Sequence, residues 1–213
     1  LSISGLLSII LILVTVDLIL GPILTFFLYK KGKRGLKFDL AAVILVQLAA
    51  LGYGMYTVYQ GHPVYVAYAA DRFTLVTAQD AKTELAKLPE YQVSKLWKPV
   101  FAYAQMPNDA KEAQQVLFDA LGGKGDIDQL PQYYVDFQSN LTKLLNNKNI
   151  PYEKLVSNKE YKTIVTALVA KTQEKPEQLT FIPLLGKEKD VVWVWDKAKQ
   201  APISVLDINP WKI

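Results

Sequence analysis

Asp17 stands in the middle of an apolar run, one turn ahead of Gly21-Pro22. From Leu1 to Tyr29 the chain has no lysine, arginine or glutamate, and Asp17 is the only charge. Such a run exceeds the roughly 20 residues that cross a hydrocarbon core. At about 1.5 Å of rise per residue, Asp17 sits roughly 20 Å into the membrane, counted from Lys30. An ionised carboxylate near the midplane costs at least roughly 2.5 to 3.5 kcal/mol on insertion scales, so it calls for protein, water or a proton as company. Asp17, Gly21 and Thr25 recur every four residues and share one helix face. Pro22 cannot donate to the carbonyl of Leu18, which loosens the helix one turn after the acid. The chemistry open to this set is recognition of a polar or charged group on another transmembrane helix.

A second apolar segment, Phe38 to Tyr59, is expected to complete a helical hairpin over residues 1–59. Counted outward from the connecting loop, Gln47 reaches the depth of Leu20 and Gly21, and Ala50 that of Asp17. Gln47, Ala50 and Gly54 are spaced by three and four, giving a face of small residues with one amide. Two readings stay open: this face closes the hairpin, or Asp17 and the Gly21-Pro22 break receive a third helix from a partner or an upstream segment. Asp39 is an acid at a helix start, where it favours the dipole. Lys30, Lys31, Lys33, Arg34 and Lys37 fill the loop 30–37. Short basic loops stay cytoplasmic, so Gly61 onward is expected on the far side, the periplasm of a bacterial cell. The chain starts at Leu1 within apolar sequence, with no positive n-region or cleavage site of small residues. It reads as lacking its own start, with one further membrane helix upstream.

Residues 60–213 are expected to form an α+β periplasmic domain with a small antiparallel sheet and a helical middle. Val64–Tyr68 and Arg72–Val76 read as a strand pair, and residues 79–88 as a short helix capped by Asp80. Asn108 or Asp109 opens a helix with Ala113, Val116, Leu117 and Leu121 at helical spacing, ending at Gly122-Gly123. Helical spacing continues over 126–170 through Leu130, Tyr134, Phe137, Leu141, Leu144 and Leu145, with Pro151 dividing it. Strands return at Leu179–Leu185, Val191–Trp195 and Pro202–Asp207, and Lys197–Gln200 suits a hairpin turn.

Charge and motifs exclude several functions. The formal charge is +4. Residues 1–59 hold five basic and two acidic residues, which leaves nineteen basic and eighteen acidic for 60–213. The far-side domain is therefore nearly neutral and lacks the clustered basic surface that nucleic acid requires. Cysteine is absent, so disulfide and thiolate chemistry are closed. No nucleophile–base set, zinc motif or Walker motif occurs, so no catalytic residue, metal or cofactor is expected. His62 reads as an interfacial polar residue, and Gly122-Gly123-Lys124-Gly125-Asp126 as a helix stop and turn in place of a phosphate loop. Trp193 and Trp195 share a strand face with Val191 and are expected in the sheet core. A membrane-anchored sensor or ligand-binding module remains compatible with this pattern.

A set of segments gives the chain a resemblance. These are Val16-Asp17, Leu20-Gly21-Pro22 with Leu24-Thr25, Gly32-Lys33, Leu36–Leu40, Gln47–Ala50, Tyr53-Gly54 with Tyr56, and Asp71-Arg72-Phe73. Together they resemble the type IV pilin accessory proteins of the TfpX/TfpZ kind. Leu117–Leu121 and Gly123–Asp128 look similar too. The resemblance implies an inner-membrane helper, a chaperone that binds and stabilises the pilin subunit before pilus assembly. The pilin-facing residues it suggests are Asp17, Gly21, Pro22, Thr25, Gln47, Ala50 and Gly54. Family members usually carry another membrane helix upstream.

Overall fold

A computed structural model describes residues 6–28, 35–92, 98–147 and 149–213. The chain divides into two compact units, Leu1–His62 and Pro63–Ile213. The first holds α1 (Leu6–Leu28) and α2 (Leu36–Gly61). Gly35, at φ 93°, supplies the left-handed turn into α2, and its carbonyl accepts from the N–H groups of Phe38 and Asp39. Asp39 lies in the first turn of α2, where its charge suits the helix dipole. At 26 residues α2 is about 39 Å long, and it has the length and apolar composition of a membrane anchor. Phe38, Ile44, Leu45, Val46, Leu48, Tyr53 and Met55 are all exposed along it; a helix apolar all round needs lipid or protein about it. Lys37 is exposed beside Phe38. Lys30, Lys31, Lys33 and Arg34 lie outside the described residues.

The second unit is built on a seven-stranded mixed sheet, ordered β4-β3-β1-β2-β5-β6-β7. Its strands are β1 (Pro63–Ala69), β2 (Arg72–Thr77), β3 (Val100–Ala104), β4 (Tyr134–Val135), β5 (Leu179–Leu185), β6 (Val191–Asp196) and β7 (Ala201–Leu206). The expected pair β1–β2 and the expected β5–β6–β7 meander are antiparallel. Two joints are parallel: β1 with β3 over four residue pairs from Tyr65↔Val100 to Tyr68↔Tyr103, and β2 with β5 at Phe73↔Leu184 and Thr74↔Leu185. The small antiparallel sheet expected from sequence is instead a larger, mixed one. Parallel pairing needs a long crossover, and local pattern carries no trace of it. β3 was hidden behind Lys98-Pro99, and β4 is two residues long and exists only through its partner.

Helices lie between the strand groups: α3 (Ala110–Leu121), α4 (Phe137–Leu145), α5 (Tyr152–Ser157) and α6 (Lys159–Thr172). Asp109, Asp136 and Asn158 cap α3, α4 and α6 by accepting from the N–H groups of Glu112, Ser139 and Glu160. Two local expectations fail. Residues 79–88 form only a 3₁₀ turn at Thr83–Leu85. There the Thr77 hydroxyl donates to Asp80 at 2.7 Å and the Thr77 carbonyl takes the N–H groups of Asp80 and Ala81, so Asp80 closes a turn and caps nothing. Leu130 and Tyr134 are not helical, because Pro131 starts a separate 3₁₀ turn and Tyr134 enters β4. The helix α3 runs as expected between Asp109 and Gly122; within it only Val116 is buried, while Leu117, Phe118 and Leu121 face outward, with Leu121 86% exposed.

Alternation along the strands separates two faces. On one, Phe73, Phe101, Phe137, Trp193 and Trp195 interlock with ring centroids 5.1–6.5 Å apart. Trp195 is buried as expected, and Trp193 is half-buried. On the other face, α5 and α6 cover β5–β7 through Leu155, Tyr161 and Val165. Tyr65, Tyr91 and Tyr134 pack edge to face there, with centroids 5.2–6.3 Å apart. Each hydroxyl donates to a backbone carbonyl, Tyr65 to Tyr91, Tyr91 to Val135 (2.9 Å) and Tyr134 to Asp128. These bonds pin irregular segments that have no ladder of their own.

Burial pushes the Tyr65 and Tyr91 hydroxyls up to about 12 and raises Tyr134 further. Unfolded tyrosine ionises near 10, so this stabilisation is whole below about pH 10 and is lost as pH climbs toward 12. Thermal melts followed by circular dichroism should show Tm falling steeply across that window. Tyr91→Phe should make the fall shallower while costing about 1 kcal/mol at neutral pH.

Candidate functional site

The membrane-type unit shows how its polar and small residues are used. Gly21 is buried against the Gln47 side-chain amide, which a Cβ at Gly21 would overlap. This contact matches the depth counted from the loop. Gly54 is buried against the Leu13 side chain in the same way. Two glycines, one on each helix, thus let α1 and α2 approach closely. Thr25 turns its hydroxyl back to the Gly21 carbonyl at 2.9 Å, a local bond of the kind that bends helices. Pro22 lies inside α1 and is exposed, as is Ala50 on α2. Asp17 is in α1, and its side chain lies outside the described residues. Leu13, the partner of Gly54, was not singled out from sequence. An aliphatic residue in an aliphatic helix carries no signal.

In the second unit, segments far apart in sequence meet at the β1–β2 turn. Ala70 adopts φ 55° there, and the Asn147 amide clamps the turn by donating to the Ala70 carbonyl at 2.7 Å and to the Tyr68 hydroxyl at 2.9 Å. Arg72 lies 3.4 Å from Asp71 and 3.5 Å from Asp126. Asp126 also accepts from the Ile127 N–H at 2.7 Å, and Asp128, two residues on, is buried. The pieces Asp71-Arg72-Phe73 and Asp126-Ile127-Asp128 therefore form one polar cluster. The loop before it is a turn, with Gly123 and Gly125 at φ 75° and 108°. Lys124 is paired with Asp119 at 3.0 Å. His62 is buried between α2 and β1 in sequence, its Nδ1 against the Tyr59 carbonyl. A cavity of about 500 Å³ opens elsewhere, lined by Asn149, Tyr152, Glu177, Thr180, Phe181 and Lys197 among others.

Comparison with known proteins gives a direction. The chain is 29% identical over 187 residues to the fimbrial assembly protein of serogroup I of Dichelobacter nodosus, covering 84% of this chain and 71% of that protein. It is 29% identical over 189 residues to the serogroup E1 protein, with the same coverage. A shorter match, 38% over 68 residues, covers 30% of this chain and 51% of the fimbrial assembly protein of serogroups C1 and C2. No family profile matches, and no solved structure does. The chain is distantly homologous to these fimbrial assembly proteins.

Two outcomes are expected. Gly54→Leu should cost about 1–3 kcal/mol in detergent unfolding by overpacking the helix contact. Gly52→Leu, at a position with open space around it, should cost less than roughly 0.5 kcal/mol. For Asp128, burial is the main cause that raises its carboxyl above the usual range, and the charge of Asp126 adds to it. The unfolded chain ionises first as pH rises, so stability from this group is full below about pH 4 and is lost above it. The Tm of Asp128→Asn relative to wild type should therefore rise between pH 4 and pH 7.

Proposed function

We propose that this chain is an inner-membrane accessory protein of type IV pilus biogenesis that binds and stabilises the pilin subunit before assembly. The observation that carries the reading is the homology to fimbrial assembly proteins across 84% of the chain. In this reading α1 and α2 both span the membrane, the basic loop 30–37 is cytoplasmic, and the α+β unit lies in the periplasm. A pilin subunit waits in the bilayer on a long apolar helix. Asp17 and the Gly21-Pro22 break would meet a polar group on that helix, with Thr25, Ala50, Gln47 and Gly54 shaping the face. The partners are the pilin and the lipid. The role is read as binding, with no catalytic step and no cofactor.

Deletion should lower pilin level and pilus number, scored by immunoblot and electron microscopy, and the wild-type gene should restore both. Restoration by Asp17→Ala to the wild-type level would remove the intramembrane part of the proposal. The 500 Å³ cavity supports a second reading, a membrane-anchored sensor or ligand-binding module. Under that reading, deletion leaves pilin and pili unchanged.

A further inference from the structure

The outward face of α3 is the largest departure from ordinary surface chemistry in the α+β unit. Leu117, Phe118 and Leu121 are 54, 60 and 86% exposed, while Val116 fills the core from the opposite side. Lys111, Gln114, Leu117, Phe118 and Leu121 share that outer stripe at helical spacing, and Lys111 lies two turns before Phe118. Lys111 is the one basic residue of α3, beside Glu112 and Asp119, so it is the apolar stripe, not the charge, that suits a bilayer interface.

The chain itself says which occupant fits. Only His62 separates the end of α2 at Gly61 from the start of β1 at Pro63. A tether of one residue holds this unit within its own width of the membrane that α2 crosses, so lipid is present at high effective concentration. Three side chains offer a few hundred Å² at most, below the roughly 800 Å² that each side of a stable protein interface buries. Such a face is too small to hold a free protein and is sufficient for a surface already tethered beside it. We propose that Leu117, Phe118 and Leu121 insert into the headgroup region of the bilayer and fix the orientation of the α+β unit on the membrane. This rests on the reading that α2 spans the membrane.

The chain contains no cysteine, so single-cysteine reporters need no background changes. The full chain would be reconstituted into liposomes of phosphatidylethanolamine and phosphatidylglycerol, with an environment-sensitive fluorophore at Phe118→Cys, Leu121→Cys, Gln115→Cys or Leu48→Cys. Nitroxide lipid labelled near the headgroup should quench the labels at 118 and 121 at least twofold more than the label at 115. Adding Leu117→Ser and Phe118→Ser to Leu121→Cys should abolish that difference. Its persistence would mean the dye inserts by itself and would overturn the proposal. Equal quenching at 115 and 121 would overturn it as well. So would a label at 121 shielded from aqueous iodide but untouched by lipid nitroxide, which would assign the face to protein. Leu48→Cys separates the two claims: quenching with nitroxide lipid labelled deep in the acyl chain keeps the span reading even when α3 fails, and no quenching there removes both.

Discussion

The close approach of two apolar helices, Gly21 against Gln47 and Gly54 against Leu13, is the contact on which the first unit depends. In lipid no hydrophobic gain drives helices together, so association rests on tight packing and on polar groups finding partners. Gly54 leaves room for the Leu13 side chain, and Gly21 for the end of the Gln47 amide. Gln47 supplies an amide where α1 has a proline one residue away and therefore a weakened backbone. Thr25 spends its hydroxyl on the Gly21 carbonyl, inside its own helix. The small-residue face thus closes the hairpin at Gly21 and Gly54, while Ala50 and Pro22 remain exposed.

In the α+β unit the constraint is different. Strands contributed by both ends of the unit meet through a parallel contact of two residue pairs between β2 and β5. So short a ladder contributes little, and side chains reinforce it. Phe73 from β2 stacks on Trp195 of β6 and meets Trp193 and Phe137. Thr180 of β5 donates to the Leu145 carbonyl at 3.0 Å, tying α4 to the sheet. The β1–β2 turn is fixed by Asn147 from the end of α4 and by Arg72 reaching Asp126. Segments without regular structure are held by tyrosine hydroxyls, whose burial puts their loss at alkaline pH.

Sequence alone revealed what helix geometry dictates locally. Gln47 and Gly21 were matched in depth from the loop, because a rigid rise per residue leaves little freedom. The strands at Val64, Arg72, Leu179, Val191 and Pro202 were legible from β-branched and aromatic runs. What stayed hidden depends on long-range pairing. β3 and β4 are short and take their identity from β1 and from each other. The cluster of Arg72, Asp126 and Asp128 joins residues more than fifty positions apart. Helical spacing grouped Val116, Leu117 and Leu121 in α3, but periodicity tells which residues share a face, not which face turns inward. Pro131 was a visible breaker, and weighing it would have kept Leu130 and Tyr134 out of a helix.

In the proposed function the first unit offers another transmembrane helix an intramembrane surface. The most direct test is a photoreactive amino acid placed at Ala50, exposed on the hairpin, in cells that make pili. The account predicts a light-dependent adduct containing pilin, absent when the same residue replaces Leu45. An adduct pattern at Ala50 without pilin, or identical from both positions, would contradict it.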